Sequence, residues 1–248
     1  MGGDLQRTGK TTLIKVVEME HWLTRAEMLV GADNLRKLGA ARVAVFGLGG
    51  VGGYVAEALA RSGIGHLLLV DGDCFSVINL NRQIGATVAT VGMDKTAVMQ
   101  QRIHSVNPDC RVEIMNRFYR PGEFEEFLSG QVDYVADAID DTQAKVDLLA
   151  RCVQHHVPVI SAMGTGNKLA PEKLCFADIS ATHGCPLARS VRQKLRKQGI
   201  EKGVTVVYST EEPIQVVGAA PGSMVFVPGA AGLMMASYIV RKLLEDKL

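Results

Sequence analysis

Six residues, Gly47-Leu48-Gly49-Gly50-Val51-Gly52, lie between a short apolar stretch at Arg42–Phe46 and an Ala- and Leu-rich segment over residues 50–62. The first stretch reads as a buried strand. The second repeats its apolar positions at helical spacing. A glycine-rich turn in this context lets the chain reverse tightly, and it lets backbone N–H groups approach a phosphate at a helix N-terminus. An acidic residue is expected about 20 residues further on, to hold ribose hydroxyls. Asp71 stands there, after a second apolar strand at 67–70. Gly47, Gly49, Gly50, Gly52 and Asp71 therefore form a candidate adenine-nucleotide site. At this point a hydride-transfer enzyme and an ATP-cleaving enzyme look alike.

The remaining pattern extends the unit. One helix is expected over 24–38, with Met28, Leu29, Leu35 and Leu38 as its apolar positions, and others over 94–106 and 142–155. Strands are expected at Arg111–Met115, 134–136 and 158–161. Strands alternating with helices imply right-handed crossovers and a mostly parallel, Rossmann-like α/β sheet flanked by helices. After Gly166 the pattern changes: a strand at 174–177, a charged helix at 187–197, a strand at 204–208 and a last helix from about Gly229. This is read as a C-terminal elaboration of one domain over 19–248. Residues 1–18 are read as an extension or disordered segment. Within it, Gly9-Lys10-Thr11-Thr12 resembles the end of a phosphate-binding loop, but five residues rather than four separate Gly3 from Gly9 and no apolar strand precedes them, so the likeness is assigned to chance.

Composition excludes little. Apolar residues make up 47% and charged residues 21%, as in ordinary globular chains, and the net charge of +1 implies no partner. Five cysteines occur without a CxxC pair, so structural zinc lacks its usual ligands and a reduced, cytoplasmic protein is the simplest reading. Each cysteine is expected to be a small buried hydrophobe, with Cys185, just before a proline-started helix, the one in a suggestive place. No apolar run reaches the ~20 residues of a stable membrane span. Contact of the C-terminal helix with a membrane surface stays open.

The residues beyond Asp71 separate the two nucleotide readings. Asp73, Asn79-Leu80-Asn81-Arg82-Gln83 and Lys95 come next, and Asp137-Ala138-Ile139-Asp140-Asp141 comes after a strand. A nicotinamide site has no need of an Arg and a Lys aimed at phosphates. A site that cleaves ATP does, because fixed cations stabilise the charge gathering on phosphate oxygens. Asp140, at the carboxyl end of a parallel strand, could hold Mg²⁺ against those phosphates.

Together these residues resemble the ThiF/MoeB/ubiquitin-activating superfamily over roughly residues 25–248. The runs Asn107-Pro108-Asp109-Cys110-Arg111, Cys185-Pro186-Leu187-Ala188-Arg189 and Tyr208-Ser209-Thr210-Glu211-Glu212-Pro213 are similar to its tRNA threonylcarbamoyladenosine dehydratase subgroup. The resemblance implies that Gly50, Asp71, Asn79, Arg82, Lys95 and Asp140 bind Mg-ATP. It also implies that Arg25 reaches the ATP of the partner subunit in a homodimer. The expected reaction is ATP-dependent cyclisation of the modified adenosine in tRNA by carboxylate adenylation, with a sulfur-transfer protein as a possible further partner. Activation of a sulfur-carrier protein's C-terminus is the alternative, an NAD-dependent oxidoreductase a more remote one, and a non-enzymatic nucleotide-binding adaptor is disfavoured by the full set of charged residues.

In the basic helix, Leu187, Val191 and Leu195 are expected to face the core. Arg189, Arg192, Arg196 and Lys197 are candidate contacts to nucleic-acid phosphates, weighed against an ordinary solvated helix face.

Overall fold

The computed structural model describes residues 21–128, 130–216 and 221–244. The segment 1–18, with its Gly9-Lys10-Thr11-Thr12 run, lies outside the described residues. The elements run α1 (Thr24–Val30), α2 (Ala32–Ala40), β1 (Arg42–Phe46), α3 (Gly52–Arg61), β2 (His66–Val70), α4 (Lys95–Val106), β3 (Arg111–Met115), α5 (Phe124–Phe127), β4 (Tyr134–Asp137), α6 (Thr142–Gln154), β5 (Val159–Ala162), β6 (Leu174–Asp178), α7 (Pro186–Arg196), β7 (Thr205–Ser209) and α8 (Phe226–Leu244).

The strands form one sheet in the order β3-β2-β1-β4-β5-β7-β6. All neighbours pair in parallel except β6, which runs antiparallel to β7 at the edge. The Rossmann-like expectation therefore holds, with β6 as the departure that the C-terminal elaboration introduces. The chain direction across the sheet reverses between β1 and β4. Ligands of open parallel sheets bind in the crevice that such a reversal opens at the carboxyl strand ends.

Period-two alternation sorts the core into two layers. Val43, Val45, Leu67 and Leu69 join one cluster with Val55 and Leu59 of α3, Met99 of α4 and Met235 of α8. Ala44, Phe46, Leu68 and Val70 face the other side, with Leu148 and Leu149 of α6 and Val191 and Leu195 of α7. Both faces of the sheet are covered, which is why its strands read as continuous apolar runs rather than alternating ones. On the second face Phe46, Tyr119 and Phe127 pack with ring centroids 5.4–5.9 Å apart. The Tyr119 hydroxyl donates to Asp147 at 2.5 Å, anchoring the loop before α5 to α6.

Several expectations need correction. The helix expected over 24–38 is two helices, because Gly31 takes φ +82°, a left-handed conformation that ends α1. Met28 and Leu29 are largely exposed rather than packed. The last helix begins at Phe226, three residues before Gly229. Pro228 is tolerated there because first-turn N–H groups have no intrahelical acceptor. In α7 Val191 and Leu195 are buried as expected and Leu187 is half-buried against the same cluster, while Ala188 is a further, fully buried position. Cys110, Cys152 and Cys185 are buried as expected, Cys175 is half-buried, and Cys74 is exposed. No helix among the described residues is long and apolar enough to cross a membrane.

Candidate nucleotide-binding and adenylation site

A cavity of about 1200 Å³ opens at the carboxyl ends of β1, β2, β4 and β5. It is lined by Gly47, Gly49, Gly50, Asp71, Asp73, Asn79, Arg82, Lys95 and Asp140, so the structure gathers nearly all the sequence candidates around one space. Gly52 lies just behind it. A Cβ at Gly52 would sit 1.7 Å from the Gly47 carbonyl oxygen, and Gly47 itself takes φ +84°. The loop is closed so tightly that only glycine fits, which leaves its backbone free to face a phosphate at the start of α3.

Asp71 ties this loop to its surroundings. Its Oδ2 accepts the Leu48 N–H at 2.6 Å, and its Oδ1 accepts the Asp73 N–H at 2.8 Å. The Lys95 ammonium, at the first position of α4, lies 3.7 Å from Asp71 and 2.9 Å from Asp73. Lys95 is 6% exposed, so this clamp fixes its charge at the cavity wall. Each carboxylate oxygen can accept more than one hydrogen bond, so Asp71 retains capacity for ribose hydroxyls.

The Asn79 run forms a turn with reciprocal hydrogen bonds. The Asn79 side-chain oxygen accepts the Ser76 N–H at 2.9 Å and its hydroxyl at 3.1 Å. Arg82 donates through one Nη to the Ile78 carbonyl at 2.7 Å and to Asn81 at 3.1 Å. It makes no ion pair among the described residues. Gln83, the last residue of that run and one to which sequence reasoning assigns no role, lines the same wall. Its Oε1 is buried with no hydrogen-bond partner there. Such an acceptor is costly to leave unpaired and suits a donor brought by a ligand.

Asp140 is exposed at the cavity mouth, and its loop is set by a network that the sequence did not disclose. Asp137 and Lys145 are both fully buried and pair at 2.6 Å. Lys145 also donates to Ser161 Oγ and the Ala162 carbonyl, each at 3.1 Å, while Ser161 donates to Asp137 at 2.5 Å. The other Asp137 oxygen accepts the Ile139 N–H at 3.0 Å, one residue before Asp140. Asp141 then caps α6 by accepting from Gln143 and Ala144. The network thus joins β4, β5 and α6 under the Asp140 loop.

Two groups of candidates lie elsewhere. Arg25 is exposed on α1 and does not line the cavity of its own chain. Of the basic helix, Arg189, Arg196 and Lys197 are exposed. Arg192 is partly buried and donates to the Thr182 carbonyl at 2.9 Å, so it braces α7 against the preceding turn. Leu187, expected in the core, lines the cavity beside Cys185.

A glycine loop opening a helix, a carboxylate at the next strand end and the cations Arg82 and Lys95 on the same cavity wall define a Rossmann-like enzyme site of the kind that handles ATP. The chain belongs to the ThiF family, whose model matches residues 23–248. It is 43% identical over 245 residues to a tRNA threonylcarbamoyladenosine dehydratase of Bacillus subtilis (strain 168), covering 92% of this chain and 96% of that one. It is 37% identical to the enzyme of the same name from Escherichia coli (strain K12), covering 80% of this chain and 78% of that one. The solved E. coli tRNA N6-threonylcarbamoyladenosine dehydratase, TcdA, in complex with ATP superposes with a TM-score of 0.85 at 33% identity, over 90% of this chain and 93% of that one.

Removing Lys145 leaves the Asp137 charge buried without its counter-ion. Lys145→Met should therefore lower stability by about 3–5 kcal/mol, the scale for breaking a buried pair from one side. Chemical denaturation checks this. A loss below about 1 kcal/mol would show that the buried pair contributes little to stability.

Proposed function

We propose that this protein is an ATP-dependent enzyme that cyclises threonylcarbamoyladenosine in tRNA, with loss of water, by adenylating its carboxylate. The observation that carries the reading is the arrangement of Arg82 and the clamped Lys95 beside the glycine loop, with the exposed Asp140 opposite, in a chain that matches dehydratases of this name along most of its length.

The chemistry follows from the charges. A carboxylate oxygen attacks the α-phosphorus of ATP, the bond to the β-phosphate bridging oxygen breaks, and pyrophosphate leaves. Arg82 and Lys95 offset negative charge on the phosphate oxygens as it moves towards the leaving group. The acyl carbon is then attacked by the neighbouring ureido group, which loses a proton. AMP departs with the former carboxylate oxygen, so the ring closes with net loss of water. Holding both groups in one cavity makes this second step intramolecular. The donor set fits Mg²⁺: Asp140 makes no ion pair among the described residues, and Mg²⁺ is commonly held by one or two carboxylates plus substrate phosphates. The ion would supply further charge neutralisation when bound.

We place the tRNA along α7, which starts at the cavity wall with Leu187 and carries exposed Arg189 near that end and Arg196 and Lys197 at its far end. The active form in this reading is a homodimer in the cytoplasm. Arg25 lies outside its own cavity, and Met28 and Leu29 of the same helix are exposed apolar side chains that a second copy would cover. Activation of a sulfur-carrier protein remains the rival. Pyrophosphate exchange with the modified tRNA rather than a carrier protein would separate the two. Mass spectrometry of tRNA nucleosides after incubation with ATP is the direct test.

Arg82→Ala and Lys95→Ala should each slow turnover by roughly 10² or more, the scale for losing one preorganised charge donor. Asp140→Asn should abolish turnover with little change in melting temperature. Effects confined to tRNA affinity, with normal rates at saturation, would move these residues off the phosphates.

Neutralising Arg189, Arg196 and Lys197 together should weaken tRNA binding and flatten its dependence on salt, because each lost phosphate contact reduces counter-ion release. ATP affinity should stay constant. An unchanged salt slope would make α7 an ordinary solvated face.

Mixing inactive Arg25→Ala with inactive Asp140→Asn tests the shared site. If Arg25 acts across the interface, a mixed dimer holds one site with both defects and one with neither. Activity then returns to about half of wild type per mixed dimer. Verified subunit exchange without recovery would place Arg25 in its own subunit's site.

A further inference from the structure

Lys168 lies after β5 and is 3% exposed, yet it lines the cavity. Its ammonium donates to the Ser209 carbonyl at 3.2 Å, and no carboxylate lies within ion-pair distance among the described residues. The other two buried lysines among the described residues have such partners: Lys95 has Asp71 and Asp73, and Lys145, beneath the cavity floor, has Asp137. Glu211 is near enough to act on Lys168 through its charge, but its carboxylate accepts the N–H groups of Leu169 and Ala170 at 2.9–3.1 Å. Burial pulls the Lys168 pKa below the usual lysine value, opposed by the charges of Cys185 and Glu211.

The backbone around this lysine is held on both sides. Asn167 takes a left-handed φ of +59°. Its N–H donates to the Gly222 carbonyl at 2.7 Å, its side-chain oxygen accepts the Gly222 N–H at 2.6 Å, and its carbonyl accepts the Ile214 N–H at 2.8 Å. Asn adopts this conformation readily, and the three hydrogen bonds to Gly222 and Ile214 are what hold the segment in place. The fold thus fixes a buried lysine with no ion-pair partner at the wall of a cavity.

Sheet order says which part of the ligand it meets. The glycine loop and Asp71 lie at the ends of β1 and β2, and Lys168 and Ser209 at the ends of β5 and β7, with β4 between the two sets. The cavity, at about 1200 Å³, exceeds the roughly 300–1,000 Å³ of an ordinary small-molecule pocket, so it has room for a second reactant beside ATP. We propose that Lys168 receives the carboxylate of the acceptor substrate on the β5–β7 side of this cavity. The proposal rests on the adenylation reading and adds the residue that holds the nucleophile. A carboxylate approaching ATP meets a polyanion, and a fixed cation on its own side offsets that repulsion. One carboxylate oxygen can accept from the ammonium while the other faces the α-phosphorus.

The test uses anticodon stem-loop RNAs carrying threonylcarbamoyladenosine, either as the free carboxylate or as its methyl ester. Binding is measured in the presence of a non-hydrolysable ATP analogue. The wild-type protein should bind the free carboxylate at least about tenfold more tightly than the ester, the scale of one charge-assisted hydrogen bond. In Lys168→Met that preference should fall to near one, with unchanged affinity for the ATP analogue. Lys168→Arg should keep part of the preference. Because Met removes a buried lysine with no ion-pair partner, the melting temperature should hold or rise, whereas a purely structural lysine would lower it. A preserved preference in Lys168→Met, or an equal loss of nucleotide affinity, would overturn the assignment. Failure of the wild-type protein to convert the free-carboxylate RNA with ATP would instead bring down the adenylation reading itself.

Discussion

The Asp71 carboxylate sits where β2 ends, almost fully buried, and holds three separate pieces of chain at once. One oxygen takes the Leu48 N–H of the glycine loop, the other the Asp73 N–H, and the Lys95 ammonium stands 3.7 Å away. Without it, the loop after β1 would keep its backbone bond from the Gly47 N–H to the Val70 carbonyl at 2.8 Å but lose its side-chain tie, and a buried lysine would lose part of its counter-charge. A carboxylate in this position is expensive to bury unless hydrogen bonds and a cation compensate it. Here both do, and two of the compensating residues, Asp73 and Lys95, themselves line the cavity. Stability and function draw on the same contacts at this corner of the sheet.

A cavity that must accept ATP faces a charge problem, because carboxylates line it as well as cations. Asp71 and Asp73 are committed to Lys95, and Asp137 is sealed beneath the floor with Lys145. Asp140 is left exposed at the mouth, where a metal ion could share it with phosphate oxygens. Arg82 carries a charge with no acidic partner among the described residues, since its hydrogen bonds go to a carbonyl and an amide. The wall thus carries both signs: two carboxylates share Lys95 and Asp140 has no ion pair, while Arg82 and Lys168 have no acidic partner within ion-pair distance among the described residues.

Much of this is legible in the sequence for simple reasons. Strands covered on both faces leave apolar runs, as at Arg42–Phe46, and the edge strand Arg111–Met115 shows through its alternation; both bounds match the structure. The glycine loop is legible because its geometry excludes every other residue at Gly52. The hidden parts are polar and buried. Lys145 falls in a helix where a lysine ordinarily reads as a solvated surface residue, and only its position opposite Asp137 and Ser161 makes it part of the core. Lys168 and the unpaired oxygen of Gln83 are hidden likewise, since burial of a single polar side chain leaves no periodic trace. The break at Gly31 is hard to read because a glycine inside a helical pattern is usually tolerated. Four-residue spacing selects Leu187 for the core as readily as Ala188, and only packing makes Ala188 the more deeply buried of the two.

The strand order explains why the two halves of the chain look so different at the level of residues. β1 and β2 precede the reversal, and their loops must grip a nucleotide shared by many enzymes, so their motifs are compact and close together in sequence. β5 and β7 lie beyond it, and the loops at their ends, near Lys168 and Pro213, are joined by long-range ties such as those between Asn167, Ile214 and Gly222. A site assembled from segments about 50 residues apart carries no local signature, yet it is the side of the cavity left for whatever ATP is used upon. The nucleotide motif is therefore compact in sequence, whereas the β5–β7 wall of the cavity is assembled by contacts that only the folded chain brings together.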